Sequence, residues 1–239
     1  MTNAKAILTT ILTLTFVLSP IVTDPFSGFR ADQLPNPQIE PPVQPAGYAF
    51  TIWGLIYAWL VISAGFGLWK RADADDWNRA RLPLIISLAV GTPWLAVANA
   101  SAVWATILIF VMAAGAIAAL IRSPMRDEWF FRVPVGIYAG WLTAASFVSL
   151  GSTAAGYSLL TDQIGWAYLG ISGALVIGLY VTYLTNTLAY ALTIVWALVA
   201  IIVANGADPW TVSALAAVGI VALLAFAVPR KAVSAKVPS

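Results

Sequence analysis

The sequence predicts an all-α, polytopic membrane protein, a helix bundle with about eight transmembrane helices. Of its 239 residues, 61% are hydrophobic and only 9% are charged, whereas soluble globular domains carry roughly 25% charged residues. Apolar runs recur along the chain, and each is long enough to cross a hydrocarbon core roughly 30 Å thick. The predicted spans are residues 6–22, 47–69, 82–100, 103–121, 133–154, 165–184, 187–204 and 210–228.

The first span follows Lys5 and has two interpretations. A cation before an apolar run is typical of a secretory signal peptide, but no Ala-x-Ala-like cleavage site follows it. A retained transmembrane helix is therefore favoured. The next segment, residues 23–46, is the longest loop and is rich in proline. It is predicted to be extended, because proline fixes φ and lacks an N–H donor.

The later connections are short and predict helical hairpins. Residues 99–102 leave room for only a tight turn between the third and fourth spans. The apolar tract 165–204 is about twice the length of one span. Its turn is predicted at Tyr183, Thr185 and Asn186, where polar side chains interrupt the tract.

The distribution of basic residues predicts the orientation. Cytoplasmic loops accumulate Lys and Arg. With the N-terminus inside, only Arg30 of the 12 basic residues falls outside. The inside residues are Lys5, Lys70, Arg71, Arg79, Arg81, Arg122, Arg126, Arg132, Arg230, Lys231 and Lys236. Both termini are therefore predicted to be cytoplasmic. The excess of Lys and Arg on one side also agrees with a place in a bacterial inner membrane.

Several residue types are missing where chemistry would need them. The chain has no Cys and no His, which excludes thiolate and imidazole metal ligands and a His-based triad. None of the charged residues falls inside a span as drawn, which argues against a proton-coupled transporter. We predict no enzyme activity, no cofactor and no metal. The net charge of +2 gives no reason to expect a nucleic acid partner.

Aromatic residues form two rows inside the spans. Phe50, Trp53 and Tyr57 are spaced three and four apart after Tyr48, so they share a helix face. The second row is Tyr138, Trp141 and Ala145, and Trp94 is a third candidate. Trp53 and Trp141 lie inside their spans, which favours a ligand pocket over packing alone. The tryptophans at span ends are interpreted as an interfacial belt; they are Trp69, Trp77, Trp129, Trp166 and Trp210.

The stretch Pro45–Tyr57 resembles the second-helix signature of the TspO/MBR family, the tryptophan-rich sensory proteins related to the mitochondrial translocator protein. The spacing of Tyr138, Trp141 and Ala145 resembles the last-helix signature of the same family. There are departures. The step from Phe50 to Trp53 is one residue shorter than usual, Tyr48 replaces a Trp, Pro134 is displaced, and Ser149 lies near the position of a usual Asn.

The resemblance implies a five-helix core, residues 1–155, with a pocket beneath the first loop lined by helices one, two and five. Residues 156–239 would then add three transmembrane helices and a short basic tail. The family is associated with porphyrins and other tetrapyrroles, and in some members with sterols. The implied ligand-binding residues are Tyr48, Phe50, Trp53, Tyr57, Trp94, Tyr138, Trp141 and Ala145, with Arg30 as the cation that ligand carboxylates would reach.

The expected function is that of a membrane receptor or sensor for a flat, hydrophobic ligand, with a regulatory or ligand-transport role. The expected partners are a porphyrin or another lipophilic small molecule and membrane lipid, and a homodimer is left open. Two alternatives remain at this stage. One is a transporter of a neutral or amphipathic solute, and the other is an assembly subunit of a pigment–protein membrane complex.

Overall fold

A computed structural model describes residues 3–227, and within this range the chain contains eight α-helices and no strand. All eight are long and apolar enough to cross a membrane, which confirms the predicted fold class. The predicted basic tail, with Arg230, Lys231 and Lys236, lies outside the described residues. The helices are α1 (Asn3–Leu18), α2 (Ile52–Lys70), α3 (Asp75–Ala100), α4 (Ala102–Ile121), α5 (Arg132–Gly156), α6 (Gln163–Thr185), α7 (Leu188–Asn205) and α8 (Trp210–Ala227).

The first five helices form a closed ring. Going round it, α1 packs on α2, α2 on α5, α5 on α4, α4 on α3, and α3 on α1. The other three helices form a second layer, in which α6 and α7 pack against α5 and α8 packs on α6 and α7. Helix α5 is therefore the wall that the ring and the second layer share.

Small residues allow α5 to be enclosed in this way. Twenty of its 25 residues are buried. At Gly140 a Cβ atom would lie 2.6 Å from the carbonyl oxygen of Tyr190 and 2.9 Å from the Thr193 Cβ, so the two backbones meet where only glycine fits. The Thr143 and Tyr190 hydroxyls, 2.9 Å apart, add a hydrogen bond across the same interface. In lipid, close backbone approach and such bonds drive helix association.

Helix α3 begins earlier than predicted, at Asp75 rather than at residue 82. Asp75 and Asp76 occupy its first turn, where carboxylates are favourable because the helix N-terminus carries a partial positive charge. Arg79 and Arg81 consequently lie within the helix. The expectation that no charged residue falls inside a span is therefore wrong: besides Arg79 and Arg81, the helices include Lys5, Lys70, Asp75, Asp76 and Arg132 at or near their ends.

The buried Arg81 side chain joins α2 to α3. It is 1% exposed and donates hydrogen bonds to the backbone carbonyls of Gly67, Arg71 and Ala72, at and just beyond the end of α2. The last carbonyls of a helix have no partner within it and carry a partial negative charge. The guanidinium donates hydrogen bonds to these carbonyls, and its positive charge is balanced by their partial negative charge. This explains how a charge can be buried here.

An ion pair joins the α4–α5 connection to the segment between α2 and α3. Arg71 donates two hydrogen bonds to Asp127, at 2.6 and 3.0 Å, and the Trp77 indole donates a third at 3.2 Å. Trp77 is 2% exposed and Trp166 is 9% exposed, so the belt interpretation is wrong for these two. It stays a prediction for Trp69, Trp129 and Trp210, which are exposed.

The contact between α5 and α7 can be tested with two matched glycine substitutions. Gly140→Ala should lower the free energy of unfolding by about 1–3 kcal/mol, because the added methyl group overpacks a backbone contact. Gly65→Ala, also in a membrane helix, meets nothing within 4 Å and should leave stability unchanged or higher. Thermal midpoints in detergent, measured by size-exclusion chromatography, would check this. Equal midpoints for the two variants would contradict the close contact.

The Asp127 ion pair predicts an acid-sensitive contribution to stability. The hydrogen bonds from Arg71 hold the pKa of the Asp127 carboxyl below its ordinary value. Such a group stabilises the fold above its unfolded pKa, about 4, and the stabilisation is lost as the pH falls through the folded pKa. Between about pH 5 and pH 3, the thermal midpoint should fall more steeply in the unsubstituted protein than in Asp127→Asn.

Glu128→Gln is the control for this measurement. The Glu128 carboxylate makes no ion pair within residues 3–227, so its removal should keep the original pH dependence. Parallel curves for the unsubstituted protein and Asp127→Asn would mean that the ion pair contributes nothing to stability.

Candidate functional site

A cavity of about 200 Å³ lies inside the five-helix ring, beneath the proline-rich loop. Every helix from α1 to α5 contributes to its walls, the loop closes one end, and Ala197 of α7 reaches it from the second layer. The lining is mainly apolar and strongly aromatic. Its aromatic members are Phe16, Phe26, Phe29, Phe50, Trp53, Tyr57, Trp94 and Trp141.

Six of the eight residues proposed from the sequence line this cavity; they are Phe50, Trp53, Tyr57, Trp94, Trp141 and Ala145. Tyr48 and Tyr138 do not line it. Tyr48 is 40% exposed and packs edge-on against Trp196, with ring centroids 5.4 Å apart. Tyr138 is fully buried behind Phe16, its ring centroid 5.7 Å away. Tyr138 therefore supports the wall rather than forming its surface.

Sequence reasoning missed Phe16, Phe26 and Phe29, which line the cavity. Phe26 and Phe29 are the only aromatic residues of the loop 23–46, and that isolation was a usable signal. Phe16 lies in an ordinary apolar span, and nothing in its neighbourhood distinguishes it from a lipid-facing residue. Its role depends on how α1 is rotated in the ring, which the sequence does not give.

The aromatic walls are arranged by helix geometry. Trp53 and Tyr57, four residues apart on α2, stack with centroids 5.3 Å apart, as the spacing predicts. Trp141 of α5 meets Trp53 edge-on at 6.3 Å and Phe50 edge-on at 5.7 Å. Phe16 of α1 contacts Trp53 at 5.9 Å. Three helices thus present aromatic rings to one space.

Two indole N–H groups at the cavity have no hydrogen-bond partner among the described residues. Five other tryptophans each donate a hydrogen bond to a backbone carbonyl or a carboxylate; they are Trp59, Trp77, Trp94, Trp166 and Trp196. Neither Trp53 nor Trp141 donates one to any residue between 3 and 227, although Trp141 is only 2% exposed. Buried donors are almost always satisfied. Both indoles belong to residues that line the cavity, so a bound ligand is a possible acceptor for them.

Ser149, which the resemblance places near a usual Asn of the family, also lines the cavity. Its hydroxyl is already engaged, since it lies 2.8 Å from the Thr106 hydroxyl. Thr106 in turn lies 2.9 Å from the Thr153 hydroxyl. These three groups form a hydrogen-bonded contact between α4 and α5, so Ser149 holds the wall in place and is not a free donor.

The loop above the cavity is fixed to the helix ends by hydrogen bonds from amide side chains. The bonds are Gln33 Nε2 to Ala98 O at 2.7 Å, Asn36 Nδ2 to Gly156 O at 3.1 Å, Asn99 Nδ2 to Asp24 O at 3.0 Å and Asn205 Nδ2 to Pro42 O at 2.8 Å. They reach the ends of α3, α5 and α7. The loop is therefore a structured cover and not a free linker.

The charges near the loop differ from those the resemblance suggested. Arg30 pairs with Asp32 at 3.1 Å, and both side chains are exposed. Arg30 is not among the residues that line the cavity. The one charged residue in the lining is Asp24, and all the lining residues belong to the described part of the chain. The entrance therefore carries an anion where a cation had been expected.

These features define a class of protein. The chain is an integral membrane protein whose helices enclose an aromatic cavity covered by a structured loop. A family model described as TSPO-like protein matches residues 4–229, and the chain belongs to that family, as the sequence motifs indicated. No curated protein and no solved structure gives a significant match.

The matched range continues past residue 155 and includes the three helices of the second layer. The division of the chain into a core, residues 1–155, and an added segment, residues 156–239, stays a prediction. In the structure α7 contacts the cavity through Ala197. The Trp196 indole donates a hydrogen bond to the Ala49 carbonyl, just before α2, at 3.1 Å.

The anchoring of the loop predicts a local change in mobility. Asn36→Ala removes the side-chain bonds to Gly156 and to the Ser158 hydroxyl, so the loop should open more often. Amide hydrogen exchange across residues 34–46 should speed up about fivefold, as expected for the loss of about one net hydrogen bond. Gln38→Ala is the control, because Gln38 donates only to its neighbours Asn36 and Pro37. Exchange that is equally fast in both variants would show that Asn36 does not hold the loop.

Proposed function

We propose that the protein is a membrane receptor that binds a flat, hydrophobic ligand in the aromatic cavity, with a tetrapyrrole as the first candidate. The observation that carries the proposal is a pair of indole N–H groups, on Trp53 and Trp141, that have no partner among residues 3–227 and belong to a mainly apolar wall. A ligand with a hydrogen-bond acceptor would satisfy them. Binding sites of this kind are mostly apolar and contain a few placed polar groups that fix orientation.

The walls suit an aromatic ligand. Aromatic rings pair favourably in stacked or edge-to-face arrangements at centroid distances of roughly 4.5–7 Å, and the walls already use such contacts among themselves. A flat ligand would insert between Trp53 and Phe16 on one side and Trp141 on the other. Only uncharged groups surround this inner part of the cavity, so it requires no charged group on the part of the ligand that enters.

The size of the cavity constrains how a tetrapyrrole would bind. Sites for drug-sized ligands measure roughly 300–1,000 Å³, and this cavity measures about 200 Å³. A macrocycle therefore requires the loop to move outward, or else it inserts only one edge. A lipophile of two or three rings fits with less rearrangement. Ligand binding and loop opening would then be coupled, which suits a receptor or sensor.

The proposal favours a receptor over an enzyme. Asp24 is the only carboxylate among the residues that line the cavity, and the chain has no Cys or His. The cavity thus offers aromatic faces and donors but few groups for acid–base or nucleophilic chemistry. We place the receptor in a bacterial inner membrane with the loop on the outer side, on the strength of the Lys and Arg distribution.

The test is a calorimetric titration of the purified protein, in a nonionic detergent, with the dimethyl ester of protoporphyrin IX, which is a neutral tetrapyrrole. The double variant Trp53→Phe with Trp141→Phe keeps two aromatic rings and removes both N–H donors. We expect saturable binding that weakens about thirtyfold in this variant, since two hydrogen bonds are lost and each contributes about 1 kcal/mol. The control double variant, Trp69→Phe with Trp210→Phe, changes two exposed tryptophans and should bind like the unsubstituted protein.

Two results would contradict the proposal. One is a signal that does not saturate and matches that of empty micelles, which would mean partitioning into detergent. The other is saturable binding of equal affinity in both double variants, which would place the ligand elsewhere. Thermal midpoints of all variants would show whether a loss of affinity reflects a loss of fold.

A further inference from the structure

The charge at the cavity entrance is negative. Asp24 lines the cavity and also borders an open depression on the same end of the bundle, together with Asn99. It therefore lies between the aromatic interior and the exterior. Its carboxylate makes no ion pair with any of residues 3–227. Arg30, the nearest cation in sequence, is already paired with Asp32.

The same sign extends over the whole end of the bundle that carries the loop. The segments there are residues 19–46, residue 101, residues 157–162 and residues 206–209, and the hydrogen bonds between loop and helix ends bring them together. They contain five carboxylates and one guanidinium; the charged residues are Asp24, Asp32, Glu40, Asp162, Asp208 and Arg30. Such a field attracts cations and repels anions.

Aromatic rings stand beside Asp24. Phe26 and Phe29 follow it in the loop and line the cavity, with centroids 5.6 Å apart. Phe26 also meets Trp94 edge-on at 5.3 Å. The Trp94 N–H is bonded to the Ala105 carbonyl, so at the cavity Trp94 contributes its ring and not a free donor. Ring faces attract cations, and clusters of them bind organic ammonium groups.

We infer that the entrance is a subsite for a cationic group on the ligand, formed by Asp24 together with Phe26, Phe29 and Trp94. This inference rests on the proposed receptor function and narrows its ligand class. The ligand is a hydrophobic aromatic compound that carries an amine or another organic cation at the end that faces the loop. A dicarboxylate tetrapyrrole would instead place its anionic groups beside Asp24, so its neutral esters or amine-bearing analogues should bind better.

Three two-ring probes of nearly equal size separate charge from hydrophobicity. At neutral pH naphthylmethylamine is a cation, naphthylmethanol is neutral and naphthylacetate is an anion. Each is titrated calorimetrically into the full chain in nonionic detergent, with empty micelles as the blank. In the unsubstituted protein the cation should bind about tenfold more tightly than the anion, as a carboxylate and aromatic faces together provide. High salt should reduce this ratio, because exposed charges are screened.

Asp24→Asn tests the residue directly. Affinity for the cation should fall about fivefold, affinity for the anion should rise, and affinity for the neutral alcohol should not change. Glu40→Gln is the matched control, because it removes one carboxylate from the same loop at a residue that does not line the cavity. It should leave the ratio between cation and anion close to that of the unsubstituted protein.

The outcomes separate this inference from the receptor proposal. If the alcohol binds saturably but the three probes bind equally, and Asp24→Asn changes none of them, the cationic subsite is overturned while the receptor proposal stands. If Glu40→Gln lowers cation affinity as much as Asp24→Asn, the field of the whole face acts and no subsite exists at Asp24. If no probe binds more than it partitions into empty micelles, the receptor proposal falls and the subsite falls with it.

Discussion

Helix α5 packs against the other helices of the five-helix ring on one side and against the second layer on the other. The rest of the architecture depends on this burial on both sides. Lipid offers no hydrophobic gain for bringing helices together, so packing and hydrogen bonds must do so. Gly140 lets α7 approach on one side, while Trp141, the next residue, faces the cavity on the other. Helix α7 thus supports the cavity wall from behind, which gives the second layer a structural role at the site.

The loop that covers the cavity is held in place by hydrogen bonds to the ends of the helices. The last carbonyls of a helix lack partners within it, and Ala98 and Gly156 belong to this group in α3 and α5. Gln33 and Asn36 satisfy these carbonyls, so the same bonds cap two helices and hold the cover closed. Water can replace such bonds at the membrane surface at little net cost. The cover is thus held mainly by hydrogen bonds that water could replace, whereas the walls are held by packing between helices.

The fold was predictable from the sequence to a greater extent than the site was. Apolar length gave all eight helices, and helical spacing placed Trp53 beside Tyr57 correctly. The start of α3 was missed because its first turns are polar, and the burial of Arg81 depends on carbonyls that only the folded α2 provides. Tyr138 follows the spacing of its row but faces Ser87 instead of the cavity. The neighbouring helices decide which side of a fully buried helix faces a cavity. The hydrophobic pattern of such a helix does not distinguish that side from the others.

The charge distribution connects the orientation of the chain to the chemistry of its cavity. Orientation in a membrane is set by Lys and Arg collected on one side, and the opposite side is left with few cations. Among residues 3–227, the end of the bundle that carries the loop and the cavity entrance has Arg30 as its only cation, and Arg30 is already paired. An anionic ligand would therefore find no free cation at the entrance, whereas a neutral or cationic one meets aromatic faces and Asp24. If the chain has the orientation that its Lys and Arg distribution predicts, the topology itself disfavours an anionic ligand at this entrance.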